Sequence, residues 1–360
     1  MIQPREGILS IDRLYDGPAD DRTCRLDKNE RIGTIAEPIW TEMMLSLKPR
    51  DLMAYPDLPG FRDRVSEWID LPPDQILVTS GSDQAIKSVF EAFVSPGDEV
   101  LIPSPTFAMY HVYKQMFRAK GVEVTYGSDM SMPVEKLCKS IKKDTRLLAL
   151  PNPNSPTGAI YKESDLVVIL ERARASETLV LIDEAYYPFS CVTALPLIRD
   201  YSNLLVTRTF SKAAGLAGAR VGFACGNAHL IDALTRVRPM YEANGIALKL
   251  GTFVMKHPDI IDAYVAEVSA GKRFLKERFG RIGTAYPSEG NFQVARLPSG
   301  IPIHDLVSAV EDLGFRIKGW SSGNPMGGCI RITAGPVAVM ESFWQAFETI
   351  WNLHARQDPS

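Results

Sequence analysis

Between residues 75 and 224 the apolar positions fall into short strand-like runs, at 76–79, 100–102, 122–126, 147–150, 179–182, 204–206 and 221–224. Each run is of strand length and rich in Val, Ile and Leu, which suits a buried strand better than a helix. Between many of them the apolar spacing changes to a helical one, as in Ala85, Ile86, Val89, Phe90 and Phe93, which share one face. Wholly apolar strands that alternate with amphipathic helices imply a largely parallel sheet covered on both sides. The pattern predicts an α/β fold with a mostly parallel seven-stranded sheet. In such sheets ligands bind beyond the carboxyl ends of the strands, so chemistry-bearing residues should gather just after these runs.

The flanks read differently. Residues 1–34 are polar and irregular, and form an expected arm or small-domain segment. A short helix is expected over 38–47 and a proline-locked turn over 51–60. A helix over 61–69 follows, with Phe61, Val65, Trp68 and Ile69 on one face. Downstream, 233–249 reads as one long helix leading to a second, smaller α/β domain, with a strand at 315–317. The expected division is 1–34, a large domain over 35–254 and a small one over 255–360, which fits a chain of 360 residues.

Composition removes several function classes. A net charge of -3 gives no basic field for nucleic acid or an anionic membrane. No apolar run approaches a membrane span. The five cysteines show no C-x-x-C spacing and the histidines no H-x-x-x-H, so neither a metal site nor a disulfide framework is expected. A reducing cytoplasm is the default.

The strand ends do carry chemistry. After the first run, Ser80-Gly81-Ser82-Asp83 opens a helix, where free backbone N–H groups and the helix dipole suit an anion. After the second comes Phe107, and after the fourth a turn, Pro153-Asn154-Ser155-Pro156-Thr157-Gly158. After the fifth come Asp183, Glu184 and Tyr186, and a carboxylate at the end of a buried strand is costly unless paired. The sixth run ends in Thr209-Phe210-Ser211-Lys212, with Arg220 eight residues on. A lysine after a strand is ordinarily a solvated loop lysine. Here, with an acid, a phenol, amides and an anion site on the same edge, it reads as a nucleophilic amine.

This set resembles the fold-type-I pyridoxal-phosphate enzymes, and within them the class I/II aminotransferases nearest to the histidinol-phosphate aminotransferases. The resemblance spans nearly the whole chain. It implies pyridoxal 5'-phosphate as cofactor, joined as a Schiff base to Lys212. It further implies that Asp183 pairs with the pyridine nitrogen and that Tyr186 donates to the ring 3-oxygen. Gly81, Ser82 and Asp83, with Thr209, Ser211 and Arg220, would hold the cofactor phosphate, and Phe107 would stack on the ring. Tyr55 resembles the tyrosine that reaches the cofactor of a second subunit, which implies a homodimer. Arg331 is similar to the arginine that grips the substrate α-carboxylate, and Asn29 belongs to the substrate-facing arm. The implied reaction moves an amino group between an amino acid, or an amino-acid-like substrate, and a 2-oxo acid.

Three departures bear on the substrate. Ser155 stands where the family usually has asparagine before Pro-Thr-Gly, so either Asn154 or Ser155 contacts the ring oxygen. The run Lys28-Asn29-Glu30-Arg31-Ile32 replaces the usual Asn-Glu-Asn-Pro. Glu242 replaces the amide of an Arg-Pro-Pro-Tyr-Asn type of segment and would repel a substrate phosphate if both faced one pocket. The same site could also serve a decarboxylation, a replacement or a carbon–carbon bond-forming step. A regulatory protein on this fold would need a basic DNA-binding segment, and none precedes residue 34.

Overall fold

The computed structural model describes residues 2–9, 11, 22–131 and 133–355. Part of the expected arm, 12–21, lies outside the described residues. In chain order the strands are β1 (Cys24–Arg25), β2 (Ile76–Thr79), β3 (Glu99–Ser104), β4 (Lys120–Thr125), β5 (Thr145–Pro151), β6 (Leu179–Asp183) and β7 (Leu204–Thr209). They continue with β8 (Gly222–Gly226), β9 (Thr284–Tyr286), β10 (Phe292–Arg296), β11 (Phe315–Arg316), β12 (Lys318–Gly319) and β13 (Cys329–Thr333).

The large sheet has seven strands in the order β2-β8-β7-β6-β5-β3-β4. The pairs β3–β4, β3–β5, β5–β6 and β6–β7 are parallel, and β8 alone runs antiparallel to its neighbours. Side chains alternate across a strand, and in the central strands β5, β6 and β7 both faces are buried, while the edge strand β4 is largely exposed. Leu148, Leu150, Val180, Ile182, Leu204 and Val206 join one core with Phe61, Val65, Leu166 and Phe253. Leu147, Ala149, Leu179, Leu181 and Leu205 join the other with Ile86, Phe90, Tyr110 and Leu230. Two-sided burial is why these central strands read as unbroken apolar runs.

A second, antiparallel sheet, β12-β13-β10-β9, packs against the helices Asp259–Gly280, Ile303–Asp312 and Val337–Ala355. Leu26 and Ile32 insert into this core, β1 pairs with β11, and Thr333 N donates to Leu26 O at 2.8 Å. The segment 24–33 is thus sewn to the carboxyl-terminal half.

Three local expectations are corrected. The helix over 233–249 is two helices, Ala228–Val237 and Gly245–Lys256. Arg238, which precedes Pro239, leaves the helical region with ψ 151, as steric conflict with the proline ring requires. Asn244 then restarts the helix by accepting from Ala247 N at 2.8 Å. The turn over 51–60 holds the helix Pro49–Met53 and the start of Leu58–Ile69, with Asp57 accepting from Gly60 N at 3.0 Å. Pro59 lies in that helix's first turn, where its missing N–H has no partner to lose. The strand expected over 315–317 ends one residue earlier, as β11, and β12 follows it into a different sheet.

Candidate active site

A cavity of about 1100 Å³ opens at the edge where β3, β5, β6 and β7 end. The antiparallel β8 begins at this same edge, so Arg220, just before it, reaches the same space. The far wall comes from residues 27–29, the 318–325 loop and Arg331.

Strand alternation sorts the two acids at the end of β6. Asp183 follows Leu181 to one face and lines the cavity, while Glu184 turns to the other. Asp183 accepts from Thr207 Oγ1 at 3.0 Å, Ala185 N at 3.2 Å and Tyr110 Oη at 3.3 Å. All three donors are neutral, and burial pushes its carboxyl up to about 6, with these hydrogen bonds opposing. Glu184 instead accepts from Arg208 Nε at 2.9 Å and Nη2 at 2.8 Å, a closed ion pair. A buried carboxylate left with neutral donors is suited to a cation brought by a ligand.

The anion end is equally defined. Gly81 sits at φ +82, a conformation that favours glycine, and a Cβ there would lie 2.7 Å from Arg220 Nη2. Arg220 Nη1 donates to Ser211 Oγ at 3.2 Å, and Thr209 Oγ1 lies 2.9 Å from the same oxygen. The helix Ser82–Phe93 starts against this group. The Asp83 carboxylate accepts from Tyr113 Oη at 2.9 Å, so in the segment 82–83 the backbone amides are the groups suited to an anion.

Lys212 lines the same cavity. Its Nζ donates to Lys28 O at 2.9 Å and stands 5.9 Å from the Tyr186 ring centroid. Burial lowers its pKa; Tyr186 opposes that shift and Arg331 adds to it. Phe107 caps the helix Ala108–Met116 with its ring at the cavity, edge-on to Tyr110. On the far wall, Arg331 Nη1 donates to Ser155 Oγ at 2.9 Å and Nη2 to Asp27 O.

Eleven of the sequence-derived residues therefore share one cavity: Asn29, Ser82, Asp83, Phe107, Asp183, Tyr186, Thr209, Ser211, Lys212, Arg220 and Arg331. Gly81 stands behind Arg220. Asn154 is fully buried away from the lining, donating to Thr157 Oγ1 and Pro105 O and accepting from Thr106 Oγ1. Ser155 faces the cavity in its place. Tyr55 is 77% exposed and stacks on Tyr241 at 4.1 Å, outside the cavity. Glu242 also lies off the lining and accepts from Ser80 N at 3.1 Å, bracing the turn before Gly81.

Sequence reasoning missed Thr207 and Tyr110 beneath Asp183. The first is Asp183's register partner across β6 and β7, and the second is one helical turn past Phe107. Both could have been found from strand pairing and helical spacing. The Ser155–Arg331 contact joins positions 176 apart in sequence and had no local signal.

The family model for aminotransferase class I and II matches residues 27–345. The chain belongs to that family. This aminotransferase is 30% identical over 313 residues to the histidinol-phosphate aminotransferase of Caldanaerobacter subterraneus subsp. tengcongensis, covering 86% of this chain and 88% of the relative. Its fold superposes on the histidinol-phosphate aminotransferase of Sinorhizobium meliloti in complex with pyridoxal-5'-phosphate, with a TM-score of 0.81 at 23% identity, covering 92% and 91% of the two chains. It also superposes on L-threonine-O-3-phosphate decarboxylase from Porphyromonas gingivalis, TM-score 0.79 at 20% identity, covering 91% and 99%. The fold alone thus hosts more than one outcome. Family membership makes this chain a pyridoxal-phosphate-dependent aminotransferase.

Proposed function

We propose that the cavity performs transamination with each residue in a defined role. The observation that carries this is Asp183, a buried acid with only neutral partners, facing the same cavity as the Lys212 amine. Pyridoxal phosphate, when bound, supplies a carbonyl for an amine and a ring that accepts electrons from the Cα bond. Asp183 holds a proton on the ring nitrogen by charge pairing. Arg220, Ser211, Thr209 and the amides at 82–83 hold the phosphate. Phe107 would cover the ring and Tyr186 would donate to the 3-oxygen.

Lys212 Nζ would take the proton from the substrate Cα and return it to the neighbouring carbon. Burial, which lowers the pKa of Nζ, favours this general-base role. Arg331 presents two N–H groups to a substrate carboxylate. Two substrates use the one site in turn, which predicts ping-pong kinetics.

The named relatives support histidinol phosphate as the first amino donor to assay. Lys28 and Lys318 on the lining offer cations for a phosphate. Glu242 lies outside the lining, so it does not oppose one. Product analysis by mass with histidinol phosphate and a panel of 2-oxo acids tests this. Turnover restricted to unphosphorylated amino acids would overturn the donor and leave the transamination reading intact.

We also propose the division into 1–34, 35–254 and 255–360, supported by separate cores for the large and small units, with Leu26 and Ile32 of the arm joining the small one. A homodimer is supported by the exposed apolar side chains of Leu45, Leu52, Met53, Tyr55, Met240 and Tyr241, of which Tyr55 and Tyr241 stack on each other. Sedimentation tests it, and so does recovery of activity on mixing inactive Lys212→Ala and Tyr55→Asp chains. A monomer with full turnover would overturn it. Among the described residues no helix is long and apolar enough to cross a membrane. The scattered free cysteines support a reducing cytoplasm.

A further inference from the structure

We propose that Asn29 is a positioning residue for Tyr186: its amide donates into the Tyr186 hydroxyl and so aims that hydroxyl's own proton at the cofactor 3-oxygen. Asn29 Nδ2 lies 2.8 Å from Tyr186 Oη, and Asn29 is 1% exposed. This rests on the reading of Tyr186 given above, and it reassigns Asn29 from touching substrate to acting through another residue.

The backbone of Asn29 is anchored without its side chain. Its N donates to Thr333 Oγ1 at 3.0 Å, and its O accepts from Asn291 Nδ2 at 3.1 Å. The amide is therefore available for a separate task. Its Oδ1 lies 3.2 Å from Thr333 Oγ1, whose single proton is shared with Leu26 O at 2.8 Å. The residue type fits the site as well. Asn29 has φ +56, a left-handed conformation that asparagine tolerates better than most residues.

A phenol has one proton to give and lone pairs that accept. When Nδ2 occupies a lone pair, the proton is left to point into the cavity. Tyr186 is further fixed edge-on to Phe292, with ring centroids 5.4 Å apart. Donation into an O–H oxygen also polarises that O–H and strengthens the bond it gives. Asn29 thus sets both the direction and the strength of the Tyr186 hydrogen bond.

The consequence is spectroscopic. A hydrogen bond to the ring 3-oxygen draws negative charge from it and makes the nearby nitrogen that joins Lys212 to the cofactor less basic. Weakening that bond raises the pH midpoint of the bound cofactor's visible absorbance. In the holoenzyme, Tyr186→Phe should raise this midpoint by about one pH unit. Asn29→Gly keeps the left-handed backbone, removes only the amide, and should raise it by about a third to a half of that shift.

Asn29→Gly placed in the Tyr186→Phe background should add nothing. Asn29→Ala removes the amide without adding a charge, so it too should raise the midpoint; it serves if the glycine variant does not fold. An unchanged or lowered midpoint in the Asn29 variants, with the Tyr186→Phe shift present, would overturn the proposal. An unchanged midpoint in Tyr186→Phe would overturn the reading of Tyr186 itself, a distinguishable failure.

Discussion

The two walls of the cavity hold their side chains by different means. On the sheet wall, Asp183, Thr209, Ser211 and Lys212 lie at or just beyond the ends of β6 and β7, and their directions follow from strand alternation and register. On the far wall, residues 27–29, the 318–325 loop and Arg331 are held by contacts between segments distant in sequence. Thr333 binds Leu26 and Asn29, Lys212 binds Lys28 O, and Arg331 binds Ser155 and Asp27 O. The first wall is fixed by the fold itself and suits a cofactor that never changes. The second can alter its chemistry without disturbing the sheet, which is where a substrate must be distinguished.

The sharpest break should come from the sheet wall. Lys212→Ala removes the amine proposed above both to join the cofactor and to move the Cα proton. Turnover should fall by about 10⁴-fold or more, with loss of the lysine-linked cofactor absorbance. In the unaltered protein, borohydride reduction should label the peptide holding Lys212. Label on another lysine would remove the sheet wall's claim to the chemistry.

Next in size is Asp183. Asp183→Ala should reduce turnover on the order of 10³-fold, or ~4 kcal/mol, with cofactor still retained through its phosphate. The cofactor-free protein offers an independent reading by pH. The folded-state carboxyl is raised to about 6 from an unfolded value near 4, so the folded state binds the extra proton. The stability it contributes is present below about pH 4 and is lost as pH rises through about 6. Cofactor-free Asp183→Asn should lack this component of the melting profile, and added cofactor should abolish it in the unaltered protein. An identical profile in both would make Asp183 a simple strand-end cap.

The same contrast explains what the sequence disclosed. The seven-stranded sheet was legible because burial on both faces leaves no polar interruptions in runs such as Leu179 to Ile182. The sheet wall was legible because its residues follow those runs directly. The break at Pro239 was readable in principle, since a proline excludes helix from the residue before it, but the flanking apolar spacing concealed it. The far wall was legible only as isolated motifs, because nothing near Arg331 in sequence indicates Ser155 or Asp27. The choice between Asn154 and Ser155 likewise depended on which of two adjacent side chains the turn directs inwards.

A smaller effect tests the far wall alone. Arg331→Met keeps an unbranched apolar stem and removes the fork, which lies 5.5 Å from the Phe292 ring centroid and 6.0 Å from that of Trp320. The kcat/KM for carboxylate substrates should fall about 10²-fold, or ~3 kcal/mol, as expected for a lost charge-assisted pair. The visible absorbance of the bound cofactor should stay unchanged. A loss of cofactor together with substrate affinity would mean that the walls are not separable.

The smallest expected effect decides between the two residues of the turn. Ser155 Oγ accepts from Arg331 Nη1 at 2.9 Å, so Ser155→Ala frees one arm of the fork while leaving Asp27 O on the other. One neutral acceptor is worth about 1 kcal/mol, and KM for carboxylate substrates should rise roughly fivefold with kcat unchanged. Asn154→Ala removes a fully buried amide that ties Thr106, Pro105 and Thr157 together. It should cost stability instead, by about 1 to 3 kcal/mol for the partners left unpaired, read as a lower Tm. Substrate affinity per folded molecule should stay nearly constant. If the two phenotypes are exchanged, with Asn154→Ala altering KM and Ser155→Ala lowering Tm, then Asn154 turns into the cavity during catalysis and the far wall begins one residue earlier.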